Sequence, residues 1–314
     1  MEIADAQPQE KERSVSVSGP FSLPLMLASV RRRANDAVDL VRGDEYRRLI
    51  VHREQPFLLG ATHGTGPDTV RISLRGVDEA PDDVDLTFAE QAIRRLFNLD
   101  QSPQAFYEHM RDEPVLGPIT TRLHGMRPVG SPDIFEMLVI AVLGQQISMI
   151  AAGAIKGRLV AALGIAAQFD DRLYRAFPTA AAIAEASNEA LLAMAFSRRK
   201  AEYVRDLAIL VASGDLDLEG LRGKEHLEIL ERLVAVRGIG HWTAEYVLLR
   251  GYGYPDALPA GDAGLRRQIM RHYQLATPPD EKEIIRRGAL WSPYRSWATL
   301  YLWNADLDPL APNT

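Results

Sequence analysis

The segment from residue 233 to residue 265 reads LVAVRGIGHWTAEYVLLRGYGYPDALPAGDAGL, and it holds the residues best suited to chemistry. Gly238 and Gly240 separate two helical patterns, which predicts a tight turn with free backbone N–H groups at the start of the second helix. Such N–H groups, together with the positive end of the helix dipole, suit a phosphate. The alternative is a turn that only connects two packed helices.

Two aromatic side chains and one carboxylate follow this turn. Trp242 and Tyr246 are four residues apart and therefore share one face of a helix. Aromatic residues at this spacing usually belong to a core, although they can also form a binding surface. Asp262 begins the helical pattern DAGLRRQIMRHY, which predicts an N-cap. A carboxylate that is fixed by capping could also stabilise a positive charge or act as a base.

The elements before this segment predict an α+β domain. Residues 20–108 contain three strand patterns, RRLIVHR, PFLLGATHG and TVRISLRGV, with the turn GTGPD between the last two. Two helical patterns flank these strands, SLPLMLASVRRRAND and APDDVDLTFAEQAIRRLFNL. Short strands joined by tight turns favour an antiparallel sheet.

After residue 108 the pattern is helical almost to the end. The stretch SPDIFEMLVIAVLGQQISMIAAGAIKGRLVAALG begins with a cap formed by Ser131-Pro132-Asp133 and is too apolar for a surface helix, so we expect it to be central to the core. DEPVLGPITTRLHGMRPVG is rich in Pro and Gly and indicates a boundary. The predicted units are a tail over 1–19, the α+β domain over 20–108, a central helical domain over 132–255, and a second helical domain formed by 109–131 and 256–314.

Composition excludes several kinds of chemistry. The chain of 314 residues has no cysteine, which excludes disulfides, thiolate zinc sites, iron–sulfur clusters and cysteine nucleophiles. The N-terminal residues are polar and lack the apolar run of a signal peptide, and no stretch reads as a membrane span, so we expect a cytoplasmic protein. The net charge of −6 means that nucleic-acid binding would require a local positive face.

The turn and its surroundings resemble the helix-hairpin-helix superfamily of DNA glycosylases. VRGIGHWTAEY looks like the hairpin, and LPAGDAGLRR follows at the family spacing with Asp262 at the catalytic position. VIAVLGQQIS is similar to the family's lesion-proximal helix, FSRRKAEYVRDLA to the segment before the hairpin, and WSPYRSWATLYLW to the terminal helix of the 3-methyladenine DNA glycosylase II type. The resemblance implies a mainly α fold in which two helical domains flank a cleft, preceded by a small α+β domain with an antiparallel sheet.

The resemblance also implies a function, which is base excision repair by a monofunctional DNA glycosylase. Such an enzyme hydrolyses the N-glycosidic bond of flipped-out alkylated purines in duplex DNA, of the 3-methyladenine or 7-methylguanine type. Asp262 would stabilise the oxocarbenium-like transition state or orient the attacking water. Trp242, Tyr246 and Trp303 would form a base pocket whose rings attract a cationic base. Bifunctional relatives carry a lysine at the position of Trp242, so no lyase activity is expected.

The same resemblance implies the residues that bind DNA and an ion. The residues expected at DNA are hairpin amides, basic side chains and the wedge position, namely Gly238, Gly240, Thr243, Arg198, Lys200, Arg295 and Gln146. A structural Na⁺ or K⁺ would bind the backbone carbonyls of Val234, Val236 and Ile239, whereas catalysis would need no cofactor. One hairpin and one pocket suffice for this function, so we expect a monomer. We also expect the protein to be associated with the nucleoid.

Two other functions stay open from the sequence. The same fold could act on neutral lesions such as 8-oxoguanine, hypoxanthine or uracil, which would require a hydrogen-bonding pocket. The chain could instead be a non-catalytic DNA-binding protein, which would have no need of Asp262. Replacing that residue would therefore separate an enzyme from a binding module.

Overall fold

The computed structural model describes residues 10–32, 36–66, 68–77 and 79–307. An N-terminal antiparallel sheet of five strands precedes a mostly helical remainder, which confirms the predicted fold class. The spatial order of the strands is β1-β5-β4-β3-β2. Their bounds are β1 Glu10–Ser16, β2 Leu40–Arg42, β3 Glu45–His52, β4 Gln55–His63 and β5 Thr69–Gly76.

Side chains that alternate between buried and more exposed positions explain why these segments form strands of a sheet. In β5 the side chains of Val70, Ile72 and Leu74 are fully buried, whereas their neighbours face the other side. A two-residue turn joins β3 to β4, and both of its residues, Arg53 and Glu54, have positive φ, as this tight hairpin type requires. The three predicted strands are therefore confirmed.

The prediction of a flexible tail over residues 1–19 is wrong for residues 10–16, which form the strand β1. Residues 10–16 pair with β5 along their whole length, with Val15 opposite Val70. Val15 is buried, and the alternation of Val with Ser in SVSV is the strand signal that the preceding charged residues conceal. Residues 1–9 lie outside the described residues.

Fourteen α-helices and one 3-10 helix, Glu219–Leu221, occur in the described part of the chain. Their bounds are α1 Leu23–Arg31, α2 Asp83–Phe97, α3 Gln104–Met110, α4 Leu116–Arg122, α5 Ile134–Gly144, α6 Met149–Leu163, α7 Ala180–Glu185, α8 Asn188–Ala193, α9 Arg198–Ser213, α10 His226–Val234, α11 His241–Arg250, α12 Ala263–His272, α13 Glu281–Gly288 and α14 Arg295–Trp303. Within the described ranges, none of the helices has the length and apolarity needed to cross a membrane. A short hairpin that the sequence analysis did not predict, β6 Ala166–Phe169 and β7 Arg172–Arg175, interrupts the helical part.

Two large hydrophobic clusters form the interior. The first extends from the sheet and α2 to α12 and α14, and the second joins α5 to α9, α10 and α11. Because the sheet and the C-terminal helices share the first cluster, the α+β region and the second helical domain have a common core. The residue limits that the sequence gives for the domains stay predictions. Trp303 packs against both clusters and therefore lies where they meet.

The apolar stretch after Asp133 is two helices, not one. Asp133 caps α5 through the N–H of Phe135, and α5 is buried as expected. The chain then turns at Gln146, whose φ is 58°, and α6 starts after Ser148, whose side chain accepts the N–H of Ala151. The prediction of a central helix is wrong for the start of α6, since Met149 is 77% exposed.

Buried charges connect the sheet to both of these helices. Arg48 on β3 binds Asp39 at 2.8 Å and also Glu136 on α5. Lys156 on α6 binds Asp36 at 2.8 Å and lies 3.5 Å from Glu136. Four of the side chains are buried and that of Asp36 is 9% exposed, so each charge depends on its partners and removal of one would leave another uncompensated. The network holds the two helices that flank the turn at Gln146.

Candidate active site

The turn between α10 and α11 has the expected hairpin geometry. Gly238 has a φ of 88°, and a Cβ there would lie 2.4 Å from the ring of Tyr203, so only glycine fits. Gly240 is the N-cap of α11 with a φ of −95°, and a Cβ there would meet nothing within 4 Å. The turn therefore requires Gly238 but not Gly240, whose open space leaves the N-terminus of α11 accessible.

A glutamine that the sequence analysis passed over ties this hairpin to the α5–α6 turn. The side-chain amide of Gln145 donates to the carbonyl of Gly238 at 2.9 Å and to the hydroxyl of Thr243 at 3.1 Å. Thr243 is only 2% exposed, and a phosphate contact by its backbone amide stays a prediction. Gln146, the predicted wedge residue, is exposed beside this link.

Asp262 is both an N-cap and the centre of a hydrogen-bonded cluster. Its Oδ1 accepts the backbone N–H of Leu265 at 2.6 Å and the indole Nε1–H of Trp303 at 2.9 Å. Its Oδ2 accepts the indole Nε1–H of Trp242 at 3.3 Å. Capping and two neutral donors thus fix the half-buried carboxylate without cancelling its charge.

The predicted pocket residues come together beside this carboxylate. Trp242, Tyr246 and Trp303, here called the aromatic cluster, are all half-buried. The rings of Trp242 and Tyr246 lie 5.5 Å apart between centroids, and those of Tyr246 and Trp303 lie 5.8 Å apart. Arg250, which the sequence analysis did not single out, lies 5.6 Å from the Tyr246 centroid and 5.0 Å from that of Trp303. The roles of these residues stay predictions.

The three predicted basic contacts differ in their surroundings. Arg198 is exposed at the start of α9. Lys200 donates to the carbonyls of Leu143 and Gln145 at the end of α5, at 2.6 and 2.7 Å, and burial lowers the pKa of its ammonium. A contact between Lys200 and a phosphate stays a prediction. Such a contact would compete with these two hydrogen bonds.

Arg295 is engaged in a two-pronged ion pair. Its Nε and Nη2 donate to the two oxygens of Asp256 at 2.8 and 2.9 Å. Burial alone would raise the pKa of Asp256, but the hydrogen bonds from Arg295 outweigh burial and lower that pKa. This pair fixes the start of α14, the helix that carries Trp303, and a role of Arg295 at DNA stays a prediction.

A helix-hairpin-helix with an accessible helix N-terminus, set beside a capped aspartate in an aromatic cluster, defines the class of helix-hairpin-helix DNA repair proteins. The model of the HhH-GPD superfamily of base excision DNA repair proteins matches residues 139–293, and that of the AlkA N-terminal domain matches residues 13–133. The chain is 35% identical over 211 residues to a DNA-3-methyladenine glycosylase of Bacillus subtilis, covering 67% of this chain and 70% of the relative.

Two longer matches agree with this result. The chain is 29% identical over 290 residues to DNA-3-methyladenine glycosylase 2 of Escherichia coli, covering 91% of this chain and 95% of the relative. A solved 3-methyladenine DNA-glycosylase from Archaeoglobus fulgidus shares the fold, with a TM-score of 0.82 at 24% identity over 94% of this chain and 98% of that chain. The chain belongs to the HhH-GPD superfamily of base excision DNA repair proteins, in the type that carries the AlkA N-terminal domain, and the predicted family is confirmed.

Proposed function

We propose that the chain is a monofunctional DNA glycosylase that releases alkylated purines from duplex DNA and leaves an abasic site. The observation that carries the proposal is the carboxylate of Asp262, held by the indoles of Trp242 and Trp303 against the aromatic cluster. The names of the relatives, which specify 3-methyladenine as the released base, support the same substrate class.

The chemistry follows from the charge of the substrate. A purine that is methylated at N3 or N7 carries a positive charge and, once flipped out of the helix, can stack on electron-rich rings. When the C1′–N bond breaks, its electron pair stays with the base, which leaves as a neutral molecule and therefore needs no general acid. The sugar acquires the positive charge, and Asp262 stabilises it or orients the water that adds to C1′. The negative charge of Asp262 is available at this step, because its hydrogen-bond donors are neutral and do not cancel it.

The absence of lyase activity belongs to the same proposal. A lyase needs an amine that forms a Schiff base with C1′, and at this position the chain has Trp242, whose indole N–H donates to Asp262. The nucleophile that adds to C1′ is therefore water. One hairpin and one aromatic cluster per chain suffice for this reaction, so we propose a monomer as the active form.

A monovalent cation on the hairpin is also a proposal. Neutral carbonyl oxygens suit Na⁺ or K⁺. The carbonyls of Val234, Val236 and Ile239 belong to the short segment that leads from the end of α10 into the hairpin. The carbonyl of Val236 accepts the N–H of Ile239 at 3.0 Å and keeps a second lone pair for an ion. When bound, such an ion would add positive charge beside the phosphate that the hairpin amides contact.

The proposed function predicts which bases appear in solution. We expect the protein to release 3-methyladenine and 7-methylguanine from methylated duplex DNA, measured by chromatography of the freed bases. Borohydride should trap no covalent complex, because no Schiff base forms. Release of 8-oxoguanine alone, or a trapped complex, would contradict the proposal.

The hairpin makes a second prediction. Gly240→Ala should lower the melting temperature by only a few degrees, because alanine is a poorer N-cap than glycine but the backbone is unstrained and the added methyl meets open space. The methyl would stand where a phosphate approaches the amides, so duplex affinity should fall about tenfold, for damaged and undamaged DNA alike. Fluorescence anisotropy with both duplexes measures this effect. Gly157→Ala, which adds a methyl to open space on α6, is the matched control. A change in lesion preference without a change in affinity would contradict the phosphate role.

A further inference from the structure

The aspartate proposed for catalysis follows a segment of turns and irregular backbone. Residues 255–261, here called the lead segment, come directly before Asp262. The carbonyl of Leu258 accepts the N–H of Ala260, and the carbonyl of Pro259 accepts the N–H of Asp262, both at 2.8 Å. These two consecutive tight turns leave the backbone little freedom between Leu258 and Asp262. The position of Leu258 therefore determines the position of the aspartate.

The first part of the lead segment is hydrogen-bonded to α14. Arg295 donates to Asp256 at 2.8 Å, and the hydroxyl of Ser296 accepts the N–H of Ala257 at 2.9 Å. The same helix carries Trp303 at its end. Two consecutive residues of the lead segment are thus held by the helix that supplies one of the indole donors.

The next residue of the lead segment is held by α11 through Glu245. A carboxylate oxygen of Glu245 accepts the N–H of Leu258 at 3.0 Å. Glu245 lies three residues after Trp242, and the two residues share a face of the helix. That face therefore binds Leu258 through a carboxylate and Asp262 through an indole N–H. Both ends of the pair of turns are held by one helix.

Glu245 is itself held in place by α10. The Nε2 of His226, the first residue of α10, lies 3.2 Å from each carboxylate oxygen of Glu245. The imidazole lies 5.3 Å from the ring of Tyr254 between centroids, and the N–H of His226 donates to the hydroxyl of Tyr254 at 3.3 Å. The side chain of Glu245 is 16% exposed. A carboxylate fixed in this way orders the N–H that it accepts.

We infer that Glu245 is a positioning residue for Asp262. It fixes Leu258, and through the two turns it holds the carboxylate where positive charge develops at C1′. The inference rests on the proposed glycosylase function. A displacement of about 1 Å at a reacting group can cost about 10²-fold in rate, whereas a glutamate with a merely structural role would affect stability alone.

The first test separates the release rate from DNA affinity. Glu245→Met removes the acceptor, so single-turnover release of 7-methylguanine should fall about 10- to 100-fold. The dissociation constant for a duplex with an abasic-site analogue should stay within about threefold of wild type. Glu245→Gln keeps an acceptor oxygen for Leu258, and its release rate should stay within about threefold of wild type. Glu245→Ala also removes the acceptor and replaces the Met variant if that variant does not fold.

The second test measures the position of the lead segment without any reaction. In Glu245→Met the backbone amides of Leu258, Ala260 and Asp262 should exchange hydrogen at least about tenfold faster than in the wild-type protein, because the turns lose their support. In Glu245→Gln most of the protection should remain. Amide exchange followed by NMR gives both results.

The matched control is Glu113→Met. The half-buried Glu113 accepts the N–H of Val115 at 2.8 Å before α4, so this variant removes the same kind of bond outside the lead segment. The folded variant should keep the wild-type release rate. A wild-type release rate in folded Glu245→Met, or equal losses in Glu245→Met and Glu245→Gln, would overturn the inference alone. A wild-type protein that releases no base would overturn the proposed function, and the inference with it.

Discussion

Asp262→Asn should abolish base release while the protein stays folded and keeps its affinity for DNA. The asparagine oxygen can still accept the N–H of Leu265 and the indole N–H of Trp303, so the cap is retained. The amide that replaces Oδ2 would face the N–H of Trp242, and loss of that one bond costs about 1 kcal/mol of stability. The lost negative charge should slow single-turnover release of 7-methylguanine about 10³-fold.

The control for this variant is a second capping aspartate. Asp280 caps α13 through the N–H of Glu283 at 2.8 Å, so Asp280→Asn makes the same chemical change away from the aromatic cluster. It should leave the release rate unchanged. Anisotropy with a duplex containing an abasic-site analogue should give dissociation constants within about threefold of wild type for both variants. Equal, measurable release rates for Asp262→Asn and wild type would contradict the catalytic role of Asp262, whereas no release by either protein would favour the non-catalytic DNA-binding alternative.

The sequence predicts the local features of this site because they depend on local chemistry. Capping at Asp262 follows from its place before a helical pattern, and the shared face of Trp242 and Tyr246 follows from their spacing. The hairpin follows from Gly238, whose positive φ excludes other side chains. These are short-range consequences of residue type.

The parts that the sequence does not predict depend on long-range packing. Gln145 reaches the hairpin across 93 residues, and Arg250 reaches Val129 across 121 residues, so no periodicity points to either contact. The hydrophobicity of α5 and α6 does not distinguish a buried helix from an exposed one, because burial is set by neighbours from elsewhere in the chain.

Glycine occurs twice in the hairpin, for two different reasons. Gly238 serves the fold, since its φ of 88° and its contact with Tyr203 exclude a side chain. Gly240 keeps the N-terminus of α11 accessible, since the backbone conformation at this position would itself tolerate alanine. Replacing each glycine by alanine therefore separates the stability of the hairpin from its affinity for phosphate.

Gly238→Ala should destabilise the protein and also weaken DNA binding. An alanine at this φ costs about 1–2 kcal/mol, and overlap of its methyl with the ring of Tyr203 adds about 1–3 kcal/mol. We expect the free energy of unfolding to fall by about 2–5 kcal/mol, measured by urea denaturation, and duplex affinity to fall more than in Gly240→Ala.

A double-mutant cycle distinguishes strain from steric overlap at this turn. Tyr203→Ala in the Gly238→Ala background removes the ring and should restore the part of the stability lost to overlap, while the cost of the positive φ remains. Because Tyr203 also stacks under Arg237 at 5.2 Å, the single Tyr203→Ala variant supplies the reference for that contact. Full stability in Gly238→Ala would mean that the turn adopts another conformation, and the hairpin amides would then lose the arrangement on which phosphate binding depends.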